Sequence, residues 1–184
     1  MREMEEKIIL VDKNDYPVGE GKKLDVHKKN LMHRAFSIFI FDQDGRFLLQ
    51  KRHKNKYHSG SLWTNTCCGH PRVGENTLSA VKRRLKEEMG FEADDVQKRF
   101  HYIYQVTFDN ALSENEFLHV FTGLYNGPVY ADPLEAEGYQ WIDLKTLKKD
   151  MKKNPEKYTF WFKISLEKIA VFIPGRSEKN NEKK

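Results

Sequence analysis

Cysteine is scarce in this chain, and its placement says more than its number. The two residues are neighbours, Cys67 and Cys68. A disulfide framework needs partners with a suitable Cβ separation, which adjacent residues rarely supply. Both thiols are therefore expected to be reduced, in a cytoplasmic protein. Long apolar runs are also missing, and the opening MREMEEK carries no apolar stretch of the secretory kind, so no membrane association is expected. Nor does charge of one sign gather in a block. The 32 Lys and Arg against 27 Asp and Glu give a net charge of +5 that is scattered along the chain. That balance favours an anionic partner, nucleic acid or a phosphorylated metabolite, and the scatter argues against a dedicated nucleic-acid arm. On charge alone, a metal-stabilised binding module for RNA stays open as an alternative.

What is present fits one α/β domain over residues 1–176, with a polar tail at 177–184 expected to be disordered. Hydrophobic residues make up 39% of the chain, enough for a sizeable core. Strands are expected at Lys7–Val11 and Ala35–Phe41, with Arg46–Arg52 returning after the turn Asp42-Gln43-Asp44-Gly45. Further strands are expected at Phe100–Phe108, Phe117–Tyr125 and Tyr139–Ile142. The segment from Asp12 to Gly21 reads as turn-rich, and Leu24–Arg34 as a loop without period. A helix is expected to start near Asn76 or Thr77, to bury Leu78, Val81 and Leu85, and to stop at Gly90. Leu144–Lys153 reads as a helix, and Glu156–Phe172 keeps helical spacing at Phe162, Leu166 and Ile169. Strands outnumber helices, so a central mixed sheet flanked by helices is the natural architecture.

The chemistry concentrates between Thr64 and Phe91. His27, His33, His70, Glu114 and Glu116 lie on four separate segments, Glu114 and Glu116 being two apart so that both can point the same way on an extended chain, and form a nitrogen and oxygen set suited to Mn²⁺, Mg²⁺, Fe²⁺ or Zn²⁺. Unrelated surface residues are the plainer alternative, since no local spacing ties the five together and His53, His58, His101 and His119 are left without a role. Gly69, Glu75, Arg83, Arg84, Glu87, Glu88 and Gly90 form a glycine-bracketed, charge-rich helix motif that can hold Mg²⁺ against a diphosphate. A solvated helix face with paired charges is the alternative. Cys68 can exchange a proton, while Cys67 reads as inert and buried. Lys23, Arg52, Lys56 and Arg84 can grip phosphate oxygens. Tyr104 and Trp161 are candidates for the site, with core packing equally open for Trp161.

The helix motif resembles a Nudix box, with Arg84 where a hydrolytic Nudix enzyme has Glu and Phe91 in place of the closing aliphatic residue. Thr64-Asn65-Thr66-Cys67-Cys68-Gly69-His70-Pro71, Ser113-Glu114-Asn115-Glu116 and Tyr158-Thr159-Phe160-Trp161-Phe162-Lys163 are similar to the cysteine, glutamate and tryptophan motifs of the type I isopentenyl-diphosphate delta-isomerases. Phe160 stands where that family has proline. The resemblance implies a Nudix-like mixed β-sheet sandwiched between α-helices. It implies interconversion of isopentenyl and dimethylallyl diphosphate, with a small-molecule diphosphate as the substrate of a monomer or homodimer. It also implies roles. His27, His33, His70, Glu114 and Glu116 would bind one divalent metal, Mn²⁺ with Zn²⁺ or Mg²⁺ as alternatives. Cys68 and Glu116 would be the acid and base, assisted by Tyr104. Glu88 and the Cys68 carbonyl would hold Mg²⁺ on the diphosphate. Lys23, Arg52, Lys56 and Arg84 would bind that diphosphate, and Trp161 would face a carbocation. A Nudix hydrolase of a nucleoside diphosphate derivative is the rival, and Arg84 argues against it.

Overall fold

The computed structural model describes residues 6–93 and 95–174. The polar tail expected at 177–184 lies outside them. Among the described residues, nine strands form one sheet. β1 (Lys7–Val11) pairs antiparallel with β2 (Pro17–Lys22), which leads into a short helix, α1 (Lys23–Lys28). Two expectations are corrected here. The segment read as turn-rich supplies an edge strand, because its exposed backbone pairs with the apolar β1. The segment read as a loop opens with α1, too short for any helical period to register.

β3 (His33–Phe41) is the hub. It runs parallel to β8 (Ser113–Leu124) along its whole length, antiparallel to β6 (Cys67–Gly69), and meets β1 at Leu10. A turn through Gly45 returns the chain as β4 (Phe47–Arg52). β4 in turn pairs with β5 (Trp63–Thr64) and β9 (Ala136–Ile142). β7 (Gln97–Thr107) lines the outer side of β8. Side chains on β3 alternate between two buried faces, which explains why its sequence is apolar almost throughout. Phe36, Ile38 and Ile40 pack beneath α2 (Thr77–Met89) with Val81, Leu85 and Met89. Ala35, Phe39 and Phe41 pack against α3 (Leu144–Lys153) and α4 (Phe160–Ile169), with Leu147, Phe162, Leu166 and Ile169. The sheet is therefore sandwiched between helical layers.

α2 starts where Asn76 accepts a hydrogen bond from the Leu78 amide, and ends at Gly90, whose φ of 75° closes the helix in the left-handed region. Leu78 is 38% exposed, contrary to expectation; Ala80 takes the buried position on that turn. Phe91 fills the closing apolar position by stacking on Tyr125 at 3.8 Å. β8 begins four residues earlier than expected, so Glu114 and Glu116 stand on a strand and not in a connecting loop.

Candidate active site

Three histidines and two glutamates meet at one end of the β3–β8 pair. The parallel register sets His33 beside Glu116, and β-strand alternation turns Glu114 and Glu116 toward the same face. His27 arrives from α1 and His70 from the residue after β6. Ligand atoms of His27, His33, His70 and Glu114 all lie within 4.8 Å of one another. Glu116 Oε1 is 3.3 Å from His70 Nε2 and 3.7 Å from His33 Nε2. All five side chains are buried.

The donor set fits a divalent cation. His27 Nδ1 lies 2.6 Å from the Lys23 carbonyl and His33 Nδ1 lies 2.9 Å from the Leu31 carbonyl. A carbonyl oxygen only accepts, so each Nδ1 carries the proton and each Nε2 turns a lone pair inward. His33 Nε2 and Glu114 Oε2 are buried without a hydrogen-bond partner. Groups left this way are costly unless something else satisfies them. Burial holds the His33 imidazole down at about 4 and His70 well below its usual range, so both stay neutral, as ligands must.

The two carboxyls are driven apart. Burial alone would raise Glu114, but the closeness of His27 and the hydrogen bond from His58 outweigh it and hold this carboxyl well below the usual range. Burial, and then the charge on Glu114, push Glu116 well above it. The Tyr104 hydroxyl donates to Glu116 Oε2 at 2.9 Å.

Cys67 and Cys68 are separated by the same alternation. Cys67 joins the layer under α2, and burial raises its thiol far above the ordinary value. Cys68 turns to the opposite face, where its sulfur lies 3.2 Å from both Ser37 Oγ and Asn65 Oδ1. Burial pushes it up to about 11, against the pull of those two hydrogen bonds. Asn65 is itself fixed by donating to the carbonyls of Ile38 and Cys67. Trp161 is anchored by its indole N–H donating to Thr64 Oγ1 at 3.0 Å, and the Arg52 guanidinium lies over its ring at 5.3 Å.

A cleft beside the cluster is lined by all four expected cations, Lys23, Arg52, Lys56 and Arg84, together with Glu88, Cys68 and His70. Gly69 permits this closeness: a Cβ there would sit 3.1 Å from the Phe36 ring and 3.3 Å from Arg84 Cγ. Arg84 pairs with Glu88 one helical turn on and with Glu135 at 3.3 Å. Lys56 also pairs with Glu135, which thus sits between two cations. Glu88 further accepts from Gln50 Nε2 at 2.9 Å. Sequence reasoning missed Glu135, Gln50, Tyr57 and His58. Each stands in a segment with no motif of its own, so only the fold brings it in. Tyr57 places its ring 5.3 Å from the Lys23 ammonium and its hydroxyl 3.5 Å from His27 Nε2.

Comparisons with known proteins bear on the fold and the family. The NUDIX domain family profile matches residues 31–162. Among solved structures, the protein DR0079 of Deinococcus radiodurans aligns with a TM-score of 0.64 at 19% identity, over 80% of this chain and 90% of that one. A MutT protein of Methanosarcina mazei Go1 aligns with a TM-score of 0.59 at 21% identity, over 76% and 94%. These two likenesses concern the fold. In sequence, the chain is 50% identical to the isopentenyl-diphosphate Delta-isomerase of Serratia proteamaculans over 86% of this chain and 88% of that protein. It is 48% identical to that of Burkholderia multivorans over 94% and 98%. With a NUDIX domain over most of its length and relatives this similar along nearly all of it, the chain belongs to the isopentenyl-diphosphate Delta-isomerase family.

Proposed function

We propose that this chain interconverts isopentenyl diphosphate and dimethylallyl diphosphate by adding a proton at one end of an allylic system and removing another. The observation that carries this reading is the half-buried Cys68 thiol and the buried Glu116 carboxyl, both with raised proton affinity, beside a cleft ringed by cations. An unactivated alkene is a weak base, so the reaction needs an acid and a base held at its carbons in a site that excludes water. Cys68 and Glu116 fill those roles, and Tyr104, donating to Glu116 Oε2, orients the carboxyl. The intermediate is a tertiary carbocation, and the indole of Trp161 supplies a π face for it. Lys23, Arg52, Lys56 and Arg84 bind the diphosphate, which lends binding energy remote from the reacting carbons.

His27, His33, His70, Glu114 and Glu116 would hold one divalent metal, Mn²⁺ with Zn²⁺ or Mg²⁺ as alternatives. Glu88 with the Cys68 carbonyl would hold Mg²⁺ on the diphosphate. Bound metal neutralises clustered carboxylates and phosphate oxygens. We place the protein in the cytoplasm, as a monomer or homodimer acting without nucleic acid. Its adjacent free cysteines fit a reducing compartment, and no helix among the described residues is long and apolar enough to cross a membrane.

The test is incubation with isopentenyl diphosphate and Mg²⁺ in D₂O, followed by NMR. Deuterated dimethylallyl diphosphate is the expected product. Release of phosphate would instead favour the hydrolase reading, and unchanged substrate with folded protein would exclude both.

A further inference from the structure

Among the described residues, His58 is one of the buried groups that this mechanism leaves unused. It lies in the loop between β4 and β5, in no recognised motif, yet its Nε2 is 2.6 Å from Glu114 Oε1. We propose that His58 is a positioning residue for the metal centre: its Nε2–H fixes Glu114 so that one carboxylate oxygen is committed and the other is presented to the cation. This inference rests on the metal-site reading above.

Three observations support it. The first is the division of labour on Glu114. Oε1 is occupied by His58, while Oε2 is the buried oxygen without a hydrogen-bond partner and lies 3.4 Å from His27 Nε2. A ligand carboxylate needs such an outer partner, and removing one typically costs about 10–100-fold in metal affinity. The second is the fixing of the imidazole itself. It stacks on Phe108 at 4.2 Å with the rings 11° apart, and it meets the Trp161 ring edge-on at 5.9 Å. Its Nδ1 lies 3.2 Å from Ser59 Oγ. A carboxylate accepts, so the proton sits on Nε2, and Nδ1 accepts from the serine. The third is the backbone that delivers it. Ser59 and Ser61 both adopt positive φ, 52° and 60°, a conformation unfavourable for residues with a Cβ. Gly60 between them lies so close to Lys54 that a Cβ would meet its carbonyl oxygen at 2.5 Å. Arg52 donates to the carbonyls of both Ser59 and His58 and holds this turn. A cation of the diphosphate cleft therefore braces the loop that orients a metal ligand.

Two variants separate this role from simple packing. His58→Phe keeps the ring against Phe108 and loses the donor. His58→Gln loses the ring and keeps an N–H near the Nε2 position. Mn²⁺ binding by calorimetry, with the tight site assigned by its loss in His33→Ala, should weaken about 10–100-fold in His58→Phe and recover most of that in His58→Gln. The reverse order, or His58→Phe within twofold of wild type, overturns the proposal. A readout that does not depend on variant folding is nitrogen-resolved NMR of the wild-type histidines. His58 should be the Nε2–H tautomer and His27 and His33 the Nδ1–H tautomers; His58 found as Nδ1–H overturns it. If wild type and His33→Ala bind Mn²⁺ alike, the metal-site reading itself has failed. If wild type binds tightly and His58→Phe matches it, only the role of His58 has failed.

Discussion

Tyr104 and Glu116 face each other across the antiparallel β7–β8 pair, and the phenol donates to the carboxyl at 2.9 Å where both are buried. The bond joins a carboxyl that burial and the Glu114 charge push above its usual range to a hydroxyl that burial keeps protonated. Tyr104→Phe removes this donor without changing the ring. A hydrogen bond to a charged or partly charged group is worth about 1.5–3 kcal/mol, so kcat should fall about 10–100-fold with little change in KM. Steady-state kinetics on isopentenyl diphosphate reads this, and an unchanged kcat would remove Tyr104 from the proton path.

The two thiols should behave as different residues. Cys68→Ala is expected to abolish turnover, at least about 1000-fold, because it would delete the proposed proton carrier. Cys67→Ala should keep most of the rate and lose about 1–2 kcal/mol of stability, the cost of a small cavity in the layer under α2. Paired measurements of kcat and urea midpoint decide the matter. Equal loss of activity in both would mean the wrong thiol has been chosen.

Arg84 is the departure from the hydrolytic box, and reversing it should not create a hydrolase. Arg84→Glu would face Glu88 and Glu135 and repel a diphosphate. Loss of at least about 100-fold in kcat/KM is expected, with no phosphate released. The milder Arg84→Gln should lose about 10-fold, mostly in KM. Phosphate release by Arg84→Glu would restore the hydrolase reading.

His119 gives a pH dependence of stability independent of the metal site. It is buried on β8, 3.0 Å from Asp15, and burial, then the Lys98 charge, hold its imidazole at about 4. The unfolded residue titrates near 6.5, so between these values the unfolded chain binds the extra proton and the folded chain does not. Stability is therefore unaffected above about 6.5 and is lost as pH falls toward 4. His119→Gln should flatten the wild-type decline between pH 6.5 and 5 by about 1–2 kcal/mol in urea titrations. Identical slopes in the two proteins would contradict this.

The sequence read well where period and chemistry coincided. α2 was delimited by Asn76 and Gly90 because a cap and a left-handed stop are local events. The pairing of Glu114 with Glu116 followed from strand alternation, even though their strand was started too late. β2 was missed because Pro17-Val18-Gly19-Glu20-Gly21 has no apolar face; its stability comes from pairing with β1, which is not local. His58 and Glu135 were missed for a related reason. Each acts through a partner far away in the chain, Glu114 in one case and Lys56 with Arg84 in the other, and no spacing encodes such a meeting.

The parallel pairing of β3 with β8 has a consequence for how the molecule is made. His33 and Glu116 become neighbours only after the chain between them has been laid down and its ends closed on each other. Loop closure of that span is an entropic cost met before any of its contacts are gained, and such non-local pairings form slowly. The proposed cation site is thus expected to assemble late in folding, because His27 and His33 are made well before Glu114 and Glu116. Capture of a metal at the proposed site would then mark completion of the central sheet. The rate of metal uptake during refolding would be a clock for that one strand pairing.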